Sequence, residues 1–342
     1  MKTRLTTLSA IGVLLAAAAL AADSPGYHVS KRLAVGGEGG WDYLTVDSAG
    51  RRLYVSHATR VVVIDTDSGR VVGEIPNTEG VHGIAIAPEL NRGFTSNGRS
   101  STITIFDLKT LKTLGDVKST GQNPDAILYD SSSGRVFAFN GRSNNATVIA
   151  AKSGKVESTI ALDGKPEFEA SDGAGRVFVN LEDKSMIAVI DAKKLSVEKT
   201  WPLAPCEEPS GMAIDREHKR LFVGCSNKLM AVVDAESGKV VGTVPIGSGV
   251  DANAYDPGTG LAFASCGEGT LTVARADGPD KYVVAQNVET QRGARTMGLD
   301  EKTHTVFLAT AQFGPPPSPT AENPRPRPSL VPGTFTILVV TK

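Results

Sequence analysis

One short pattern recurs along this chain at intervals of 40 to 44 residues. Its clearest copy, Glu207–Gly247, contains four short β-patterned runs separated by the polar, Gly-rich turns typical of hairpins. A four-stranded sheet of this size cannot bury both of its faces alone, but stacked copies can bury them against one another. Each copy begins near the start of its first strand, and the seven starting positions are Asp42, His82, Asp125, Glu167, Ser210, Asp251 and Arg295. The repeat therefore predicts an all-β fold, a seven-bladed β-propeller with four-stranded blades.

The seventh copy is incomplete, because the chain ends after a segment, Phe335–Val340, that matches only a third strand. The missing fourth strand has a counterpart at the other end of the chain. There, Tyr27–Val35 resembles the fourth strand of the fifth copy, Val240–Ile246. We therefore expect the N-terminal strand to close the ring as the outer strand of the last blade, which leaves no incomplete blade.

A proline-rich segment interrupts the seventh copy. Residues 313–333 contain eight prolines, at positions 315, 316, 317, 319, 324, 326, 328 and 332. Repeated proline cannot join a sheet ladder, so the segment is predicted to be an extended loop inserted between the second and third strands of blade 7. It is either a plain surface insertion or a cover over a site.

Short signatures within the copies match a known family. Tyr54-Val55-Ser56, Val177-Phe178-Val179-Asn180 and the V-V-D-x-x-S-G-K-V pattern of the fifth copy resemble the YVTN-repeat β-propellers, the YncE-like exported proteins of bacteria. The resemblance extends over roughly Tyr27 to Lys342 and implies the propeller fold and export from the cytoplasm. It implies no catalytic residues, because such propellers include proteins without an assigned role and others described as DNA-binding or scaffolding.

The N-terminus has the features of a secretory signal peptide. Lys2 and Arg4 precede a short apolar run, and an A-x-A-like cleavage site follows at Ala19-Leu20-Ala21. The predicted organisation is a signal peptide at residues 1–21 and one propeller domain at residues 22–342. We expect a periplasmic or secreted monomer without a membrane span. Loss of Lys2 and Arg4 changes the formal net charge from −1 to −3, which gives no broad electrostatic attraction for nucleic acid.

The chain has three cysteines, Cys206, Cys225 and Cys266. In an exported protein this odd number indicates one disulfide and one free thiol, or three buried thiols. A Cys206–Cys225 disulfide is plausible because both residues are expected on the same face of blade 5. A Cys225–Cys266 bridge between neighbouring blades is the competing pairing.

The seven starting positions are predicted to form a ring at one mouth of the central channel, because the first strand of each propeller blade lines that channel. The ring is polar, and its carboxylates repel one another unless a cation, a shared proton or a base lies nearby. Glu169 and Asn253 are expected two residues deeper, Arg292 supplies positive charge, and Trp41 either stacks on a ligand or packs internally. The predicted ligand-binding residues are Trp41, Asp42, Asp125, Glu167, Glu169, Asp251, Asn253, Arg292 and Arg295.

Two histidines are expected on the same face as these carboxylates. His57 ends the second strand of blade 1, and His82 begins the first strand of blade 2. Together with Asp42 or Asp125, the two imidazoles would suit zinc, copper or another divalent transition metal, with His57, His82 and Asp42 as the predicted ligand set. The set has no local signature such as H-E-x-x-H, and the alternative is a hydrated channel whose charges are met by water and arginine.

These features favour an exported binding protein that holds a small polar ligand or a metal ion at the channel mouth. A first alternative is a metal-dependent lactonase or hydrolase that activates water. A second alternative is a scaffold that binds a protein or a nucleic acid through one face of the propeller. The sequence contains no G-x-S-x-G nucleophile elbow, so it gives no support to a serine hydrolase.

Overall fold

The structure, a computed structural model, describes residues 24–318, 320, 326 and 328–342. Seven four-stranded antiparallel sheets form the blades of a propeller, which confirms the predicted fold. The described residues also contain two single-turn 3-10 helices, Pro88–Leu90 and Glu182–Lys184. No helix within these residues has the length and hydrophobicity needed to cross a membrane. The predicted signal peptide at residues 1–21 lies outside the described part of the chain.

The first described strand, β1 (His28–Ala34), belongs to the last blade. Blade 1 consists of β2 (Trp41–Asp47), β3 (Arg52–His57), β4 (Arg60–Asp65) and β5 (Val71–Pro76). Blade 2 consists of β6 (Val81–Ala87), β7 (Arg92–Asn97), β8 (Thr102–Asp107) and β9 (Thr113–Lys118). Blade 3 consists of β10 (Pro124–Asp130), β11 (Arg135–Asn140), β12 (Asn145–Ala150) and β13 (Lys155–Ala161).

The remaining blades follow the same order. Blade 4 consists of β14 (Pro166–Ser171), β15 (Arg176–Leu181), β16 (Met186–Asp191) and β17 (Ser196–Pro202). Blade 5 consists of β18 (Pro209–Asp215), β19 (Arg220–Cys225), β20 (Leu229–Asp234) and β21 (Val240–Pro245). Blade 6 consists of β22 (Val250–Asp256), β23 (Leu261–Cys266), β24 (Thr270–Ala276) and β25 (Tyr282–Glu289). Blade 7 contains β26 (Met297–Asp300), β27 (Thr305–Thr310) and β28 (Thr336–Thr341).

The N-terminal strand closes the ring, as the sequence predicts. β1 pairs antiparallel with β28, so the strand order of blade 7 is β1-β28-β27-β26. The first and the last strand of the described chain are therefore neighbours in one blade. The residue before β1 also contacts blade 6, because Gln286 Nε2 donates a hydrogen bond to Tyr27 O (2.7 Å). The Tyr27 ring packs edge-on against Phe263, with ring centroids 5.3 Å apart. The closing strand therefore joins the last two blades.

The hydrophobic core lies between the blades. The middle strands are buried on both faces, and in β11 every residue from Val136 to Asn140 is buried. Such strands are nearly continuous in apolar residues, whereas the outer strands alternate and expose side chains such as Val72. Between blades 1 and 2, for example, the Tyr54 and Phe106 rings meet with centroids 5.8 Å apart. Each blade thus buries its faces against its neighbours.

A polar contact also joins each blade to the next. At four junctions an arginine at the start of the second strand donates a hydrogen bond from Nη1 to a backbone carbonyl of the following blade. The pairs are Arg52 with Leu108 O, Arg92 with Ala151 O, Arg135 with Ala192 O, and Arg176 with Ala235 O. Side-chain pairs occupy the other three junctions. They are Arg220 with Asp280 (3.0 Å), His304 with Asp256 (2.8 Å), and Arg51 with Asp300 (2.5 Å).

Cys206 and Cys225 form a disulfide in blade 5, with Cα atoms 5.4 Å apart and a sequence separation of 19 residues. Both half-cystines are buried. Cys266 is a free, buried thiol on the neighbouring blade, so the competing Cys225–Cys266 bridge is not formed. Burial raises the pKa of the Cys266 thiol to about 11, which keeps it protonated and unreactive.

The described ends of the proline-rich segment are held together. Phe313 and Leu330 form an isolated antiparallel bridge, and the Val331 N–H donates to Gln312 O (2.9 Å). Between them the described residues, which exclude Pro319 and Pro324, form no strand of the blade. The segment therefore leaves the sheet after β27 and returns to it before β28.

The arginine contacts between blades yield a first prediction. Arg92→Met keeps the aliphatic stem but removes the hydrogen bond to Ala151 O, a 3.0 Å contact in a half-buried position. We expect a loss of about 1 kcal/mol in the free energy of unfolding, or a decrease of about 2–4 °C in Tm. Thermal unfolding followed by circular dichroism measures this. Arg70→Met, at an exposed turn, is the matched control, and equal Tm values for both variants would contradict the role of the contact.

The disulfide yields a second prediction. Replacing Cys206 and Cys225 by alanine releases a loop whose closure is worth about 3 kcal/mol, so the urea midpoint should decrease. Adding dithiothreitol should lower the midpoint of the wild-type protein and leave that of the double variant unchanged. If the urea midpoint of the wild-type protein is the same with and without dithiothreitol, even after complete unfolding and refolding, the disulfide contributes no stability.

Candidate functional site

The inner strands bring the seven ring positions together at one mouth of the channel. A cavity of about 350 Å³, called the channel cavity below, lies between them. Its walls include every ring position except His82, namely Asp42, Asp125, Glu167, Ser210, Asp251 and Arg295. A second, open cavity of about 680 Å³, called the outer cleft, lies over blades 1 to 3 and is lined by Trp41, Asp42 and His82. Asp42 borders both, so the two spaces meet beside His82.

A β-bulge at the start of the inner strands sets the direction of these side chains. In blade 1, Trp41 pairs with His57 and Leu44 with Val55, so β2 contains one more residue than β3 over this stretch. The same register shift occurs in blades 2 to 6. A bulged residue leaves the regular ladder, and bulges commonly redirect side chains near functional sites. Asp42 and its equivalents occupy this stretch.

Serines near the ends of the second strands hold the backbone at the ring positions. Ser56 Oγ accepts a hydrogen bond from the Asp42 N–H (2.8 Å). Ser96 and Ser265 donate to the carbonyl oxygens of Asp125 and Arg295, each in the following blade. These serines were missed as positioning residues, although a polar residue at the end of an otherwise apolar strand is the sequence signal for them.

Asp42, His82 and Asp125 form a cluster contributed by three successive blades. His82 Nδ1 lies 2.6 Å from Asp42 Oδ2 and 3.5 Å from Asp125 Oδ1. One ligand atom from each residue lies within 4.8 Å of the other two. Burial disfavours the charged imidazole, but the hydrogen bond to Asp42 and the charge of Asp125 outweigh it, so the pKa of His82 is raised.

His57 is not a member of this cluster. Its ring is buried and stacked on Phe335, with centroids 4.4 Å apart and planes 8° from parallel. Neither ring nitrogen has a hydrogen-bond partner among the described residues, and a Cβ on Gly37 would come within 2.9 Å of the ring. Burial and the charge of Arg60 lower the pKa of His57 to about 4. His57 thus packs between blades 1 and 7, and Asp125 takes the place expected for it beside Asp42 and His82.

The carboxyl groups of blades 3 and 4 resist ionisation. Burial raises the pKa of Asp125 to about 6, with His82 opposing the shift. Burial, together with the charge of Asp125, raises the pKa of Glu167 to about 7. Lys165 partly offsets this charge, because its Nζ lies 2.5 Å from Glu167 and also contacts Glu182. Lys165 lies in the loop before β14, and Glu182 begins the 3-10 helix after β15. Both belong to the candidate site but lie outside the repeated strand positions, so the ring pattern alone could not reveal them.

Asp251 and Arg295 face each other on the other side of the channel. Arg295 Nε lies 3.3 Å from Asp251 Oδ2, but that oxygen accepts no hydrogen bond from the described residues. The Ser210 hydroxyl donates to the backbone carbonyl of Asp251 (3.1 Å). Burial raises the pKa of Asp251 to about 6 even though Arg295 opposes the shift. The channel cavity therefore contains more negative charge than its cations neutralise.

Two aromatic rings form the floor of the channel cavity. Tyr43 of blade 1 and Phe168 of blade 4 stack with centroids 4.4 Å apart, and because these blades are not neighbours the contact crosses the channel. Glu169 lies beside this pair, and its Oε2 has no hydrogen-bond partner among the described residues. Burial and the charge of Asp125 raise the pKa of Glu169 to about 8. Glu169 is therefore largely protonated at neutral pH.

The remaining predicted residues are not members of the cluster. Trp41 stacks on Phe335 (5.2 Å), and with Arg292 and Arg295 it lines a third cavity of about 450 Å³ beside the proline-rich segment. Asn253 is buried between blades 5 and 6, where its Nδ2 lies 3.1 Å from Met230 Sδ. The expectation that Asn253 lines the channel assumed a regular strand, whereas the bulge turns this side chain towards the neighbouring blade.

Comparisons with known proteins agree with the fold. No protein-family model matches the chain. The chain is 23% identical over 193 residues to the uncharacterized protein YncE of Salmonella typhi, a match that covers 54% of each protein. The protein of the same name from Salmonella typhimurium (strain LT2) matches with the same identity and coverage. The chain thus resembles the YncE proteins and spans about half the length of the curated relatives it matches.

A solved structure, that of U3-55K, superposes with a TM-score of 0.76. The match covers 92% of this chain and 99% of that chain, at 10% sequence identity. At this identity the likeness concerns the propeller architecture alone.

The buried carboxyl group of Glu169 yields a third prediction. Its pKa is about 8 in the folded protein and near 4.5 when exposed, so the folded state binds more protons between these values. The contribution of Glu169 to stability should therefore fall as the pH rises from about 4.5 to 8. Glu169→Gln, measured with EDTA present, should match the wild-type Tm at pH 4 and exceed it by about 2 °C or more at pH 9.

The control for this measurement is Glu79→Gln, which changes an exposed glutamate. Its Tm should follow the wild-type value at both pH values. A Glu169→Gln variant that is less stable than the wild type at pH 9 would show that the ionised carboxylate has a stabilising partner.

Proposed function

We propose that this protein is an exported propeller that binds a divalent transition-metal ion at the channel mouth through Asp42, His82 and Asp125. The observation that carries the proposal is the convergence of these side chains from blades 1, 2 and 3, with three ligand atoms within 4.8 Å of one another. An imidazole with two carboxylates is a donor set for zinc and similar ions. The proposed site lies at the channel mouth that the sequence predicts, but its third ligand is Asp125 and not His57.

The spacing of the cluster supports this assignment. Metal–ligand bonds of 2.0–2.1 Å in a tetrahedral site place ligand atoms about 3.3 Å apart. The 3.5 Å contact between His82 Nδ1 and Asp125 Oδ1 is close to this value. The 2.6 Å contact between His82 and Asp42 is that of a hydrogen bond, and it would lengthen by less than about 1 Å when a metal replaced the proton.

The electrostatics of the mouth support it as well. The raised pKa values of Asp125, Glu167 and Asp251 reflect carboxylates held at low solvent exposure with too few cations. A divalent cation would stabilise the ionised carboxylates, so metal and protons compete for the same groups. Affinity should therefore increase as the pH rises through 6 to 7.

Export is part of the proposal. The predicted signal peptide at residues 1–21 directs the chain out of the cytoplasm. The Cys206–Cys225 disulfide suits an oxidising compartment such as the periplasm. These two observations are independent, because one comes from the N-terminal sequence and the other from blade 5.

Metal-dependent hydrolysis is a second candidate, favoured by the outer cleft. Three protein ligands leave at least one coordination position for water or a substrate, as in catalytic zinc sites. His82 lines the outer cleft, whose volume of about 680 Å³ is sufficient for a small molecule. In that case the same cluster would activate water rather than only hold an ion.

Calorimetric titration of the EDTA-treated, dialysed protein with Zn²⁺ tests the proposal. We expect one site per chain in the wild type. His82→Ala and Asp125→Asn should each weaken zinc binding by more than about 100-fold, because loss of an outer-shell group alone costs 10- to 100-fold. His28→Ala, which changes an exposed histidine on β1, should bind like the wild type. The zinc-loaded samples, assayed with a lactone and an aryl ester, distinguish binding from hydrolysis.

Two results would contradict the metal site. One is the absence of any zinc, manganese or copper binding in the wild type at pH 8, where the carboxylates are ionised. The other is undiminished zinc binding in both His82→Ala and Asp125→Asn, which would place the ion elsewhere. Hydrolysis that persists after EDTA treatment would exclude the metal-dependent form of the second candidate.

A further inference from the structure

We propose that the outer cleft binds a small anion with at least two anionic oxygens, one of which reaches the metal held by Asp42, His82 and Asp125 while another pairs with Arg99 and Arg142. This inference rests on the proposed metal site and names the class of ligand that the same mouth would receive. A dicarboxylate and a phosphate both have this chemistry.

The charges at the mouth are divided between its two cavities. The channel cavity is lined by six acidic residues against the cations of Lys165 and Arg295; the acids are Asp42, Asp125, Glu167, Glu182, Glu208 and Asp251. The outer cleft is lined by only one acid, Asp42, and by two arginines, Arg99 and Arg142. A cation is thus favoured on the channel side and an anion on the cleft side, and the two regions meet at Asp42 and His82.

The arginines of the cleft have no internal partner. Within the described part of the chain, the side chains of Arg99 and Arg142 form no ion pair and no hydrogen bond with protein. The same is true of three polar side chains that share the cleft, those of Ser101, Gln122 and Asn123. Arginines elsewhere on the propeller, such as Arg52, Arg92 and Arg135, donate to neighbouring blades. The cleft therefore presents donors that are available to a ligand.

The backbone connects these donors to the cluster. A Cβ at Gly98 would lie 2.6 Å from His82 Nε2 and 2.7 Å from Asn123 Oδ1, so glycine permits the close approach of the β7–β8 turn to the imidazole. Arg99 follows Gly98 directly and extends from the same turn. The nitrogen that faces Asp42 and Asp125 is His82 Nδ1, so this turn lies at the Nε2 edge of the ring. Arg99 nevertheless lines the same cleft as His82 and Asp42.

The nature of the donors selects the ligand. A guanidinium binds carboxylate and phosphate oxygens through paired, charge-assisted hydrogen bonds. A purely cationic ligand would be repelled by Arg99 and Arg142, and a neutral ligand would leave both charges without a partner. An anion alone would meet the carboxylate of Asp42 in the cleft, so we expect it to bind only after the metal has neutralised this charge.

The experiment uses zinc-loaded full-length protein from which unbound zinc has been removed by gel filtration. Succinate and inorganic phosphate are titrated separately by calorimetry, which distinguishes a carboxylate from a phosphate ligand. We expect at least one of them to bind the wild type. In Arg99→Ala/Arg142→Ala its affinity should fall by at least about tenfold, as loss of charged hydrogen bonds predicts, while the affinity for Zn²⁺ remains within about twofold of the wild-type value. Arg70→Ala, at an exposed turn on the opposite face, should change neither.

The failures of the two proposals are distinguishable. If the wild type binds Zn²⁺ but the loaded protein binds neither succinate nor phosphate, the anion proposal is wrong and the metal site stands. Equal anion affinity in the wild type and the double arginine variant also overturns it, as does equal anion affinity with and without zinc. If Zn²⁺ itself does not bind, both proposals fail together.

Discussion

Each blade of this protein is a thin sheet with two apolar faces, and neither face can be buried unless another blade covers it. Burial of these faces is the main stabilising term, so no blade is stable as an open end of the ring. This constraint explains why β1 lies on blade 7, where it completes the last sheet and contacts blade 6 through Tyr27. The polar contact found at every junction adds directional hydrogen bonds and ion pairs to this apolar packing.

The candidate site occupies the part of each repeat that this constraint leaves free. The second and third strands must be apolar in every blade, whereas the bulged start of the inner strand faces the channel and can differ from blade to blade. Asp42, His82 and Asp125 occupy equivalent bulged positions in three successive blades, so the same backbone pattern presents different side chains at one mouth. A propeller therefore builds a site by variation at one position of a constant frame.

The sequence predicts the frame more completely than the site. Repeat spacing locates all seven blades and the closing strand, because a period of about forty residues recurs along the chain. A strand that is hard to recognise in one copy can be placed by comparison with the other copies. Site geometry depends on single residues that no period constrains. His57 was predicted as a metal ligand, but its ring stacks on Phe335 and lies against Gly37. The sequence does not reveal this contact, because the segments involved are far apart along the chain. The side chain of Asn253 points away from the channel because of a one-residue bulge. Lys165 contacts Glu167 from a loop that the repeat pattern does not cover.

The stacked rings of Tyr43 and Phe168 narrow the central channel below the ring of carboxylates. A molecule that enters past the carboxylates would therefore meet an aromatic surface. The same pair joins blades 1 and 4 directly, so the ring is linked across its channel as well as between neighbouring blades.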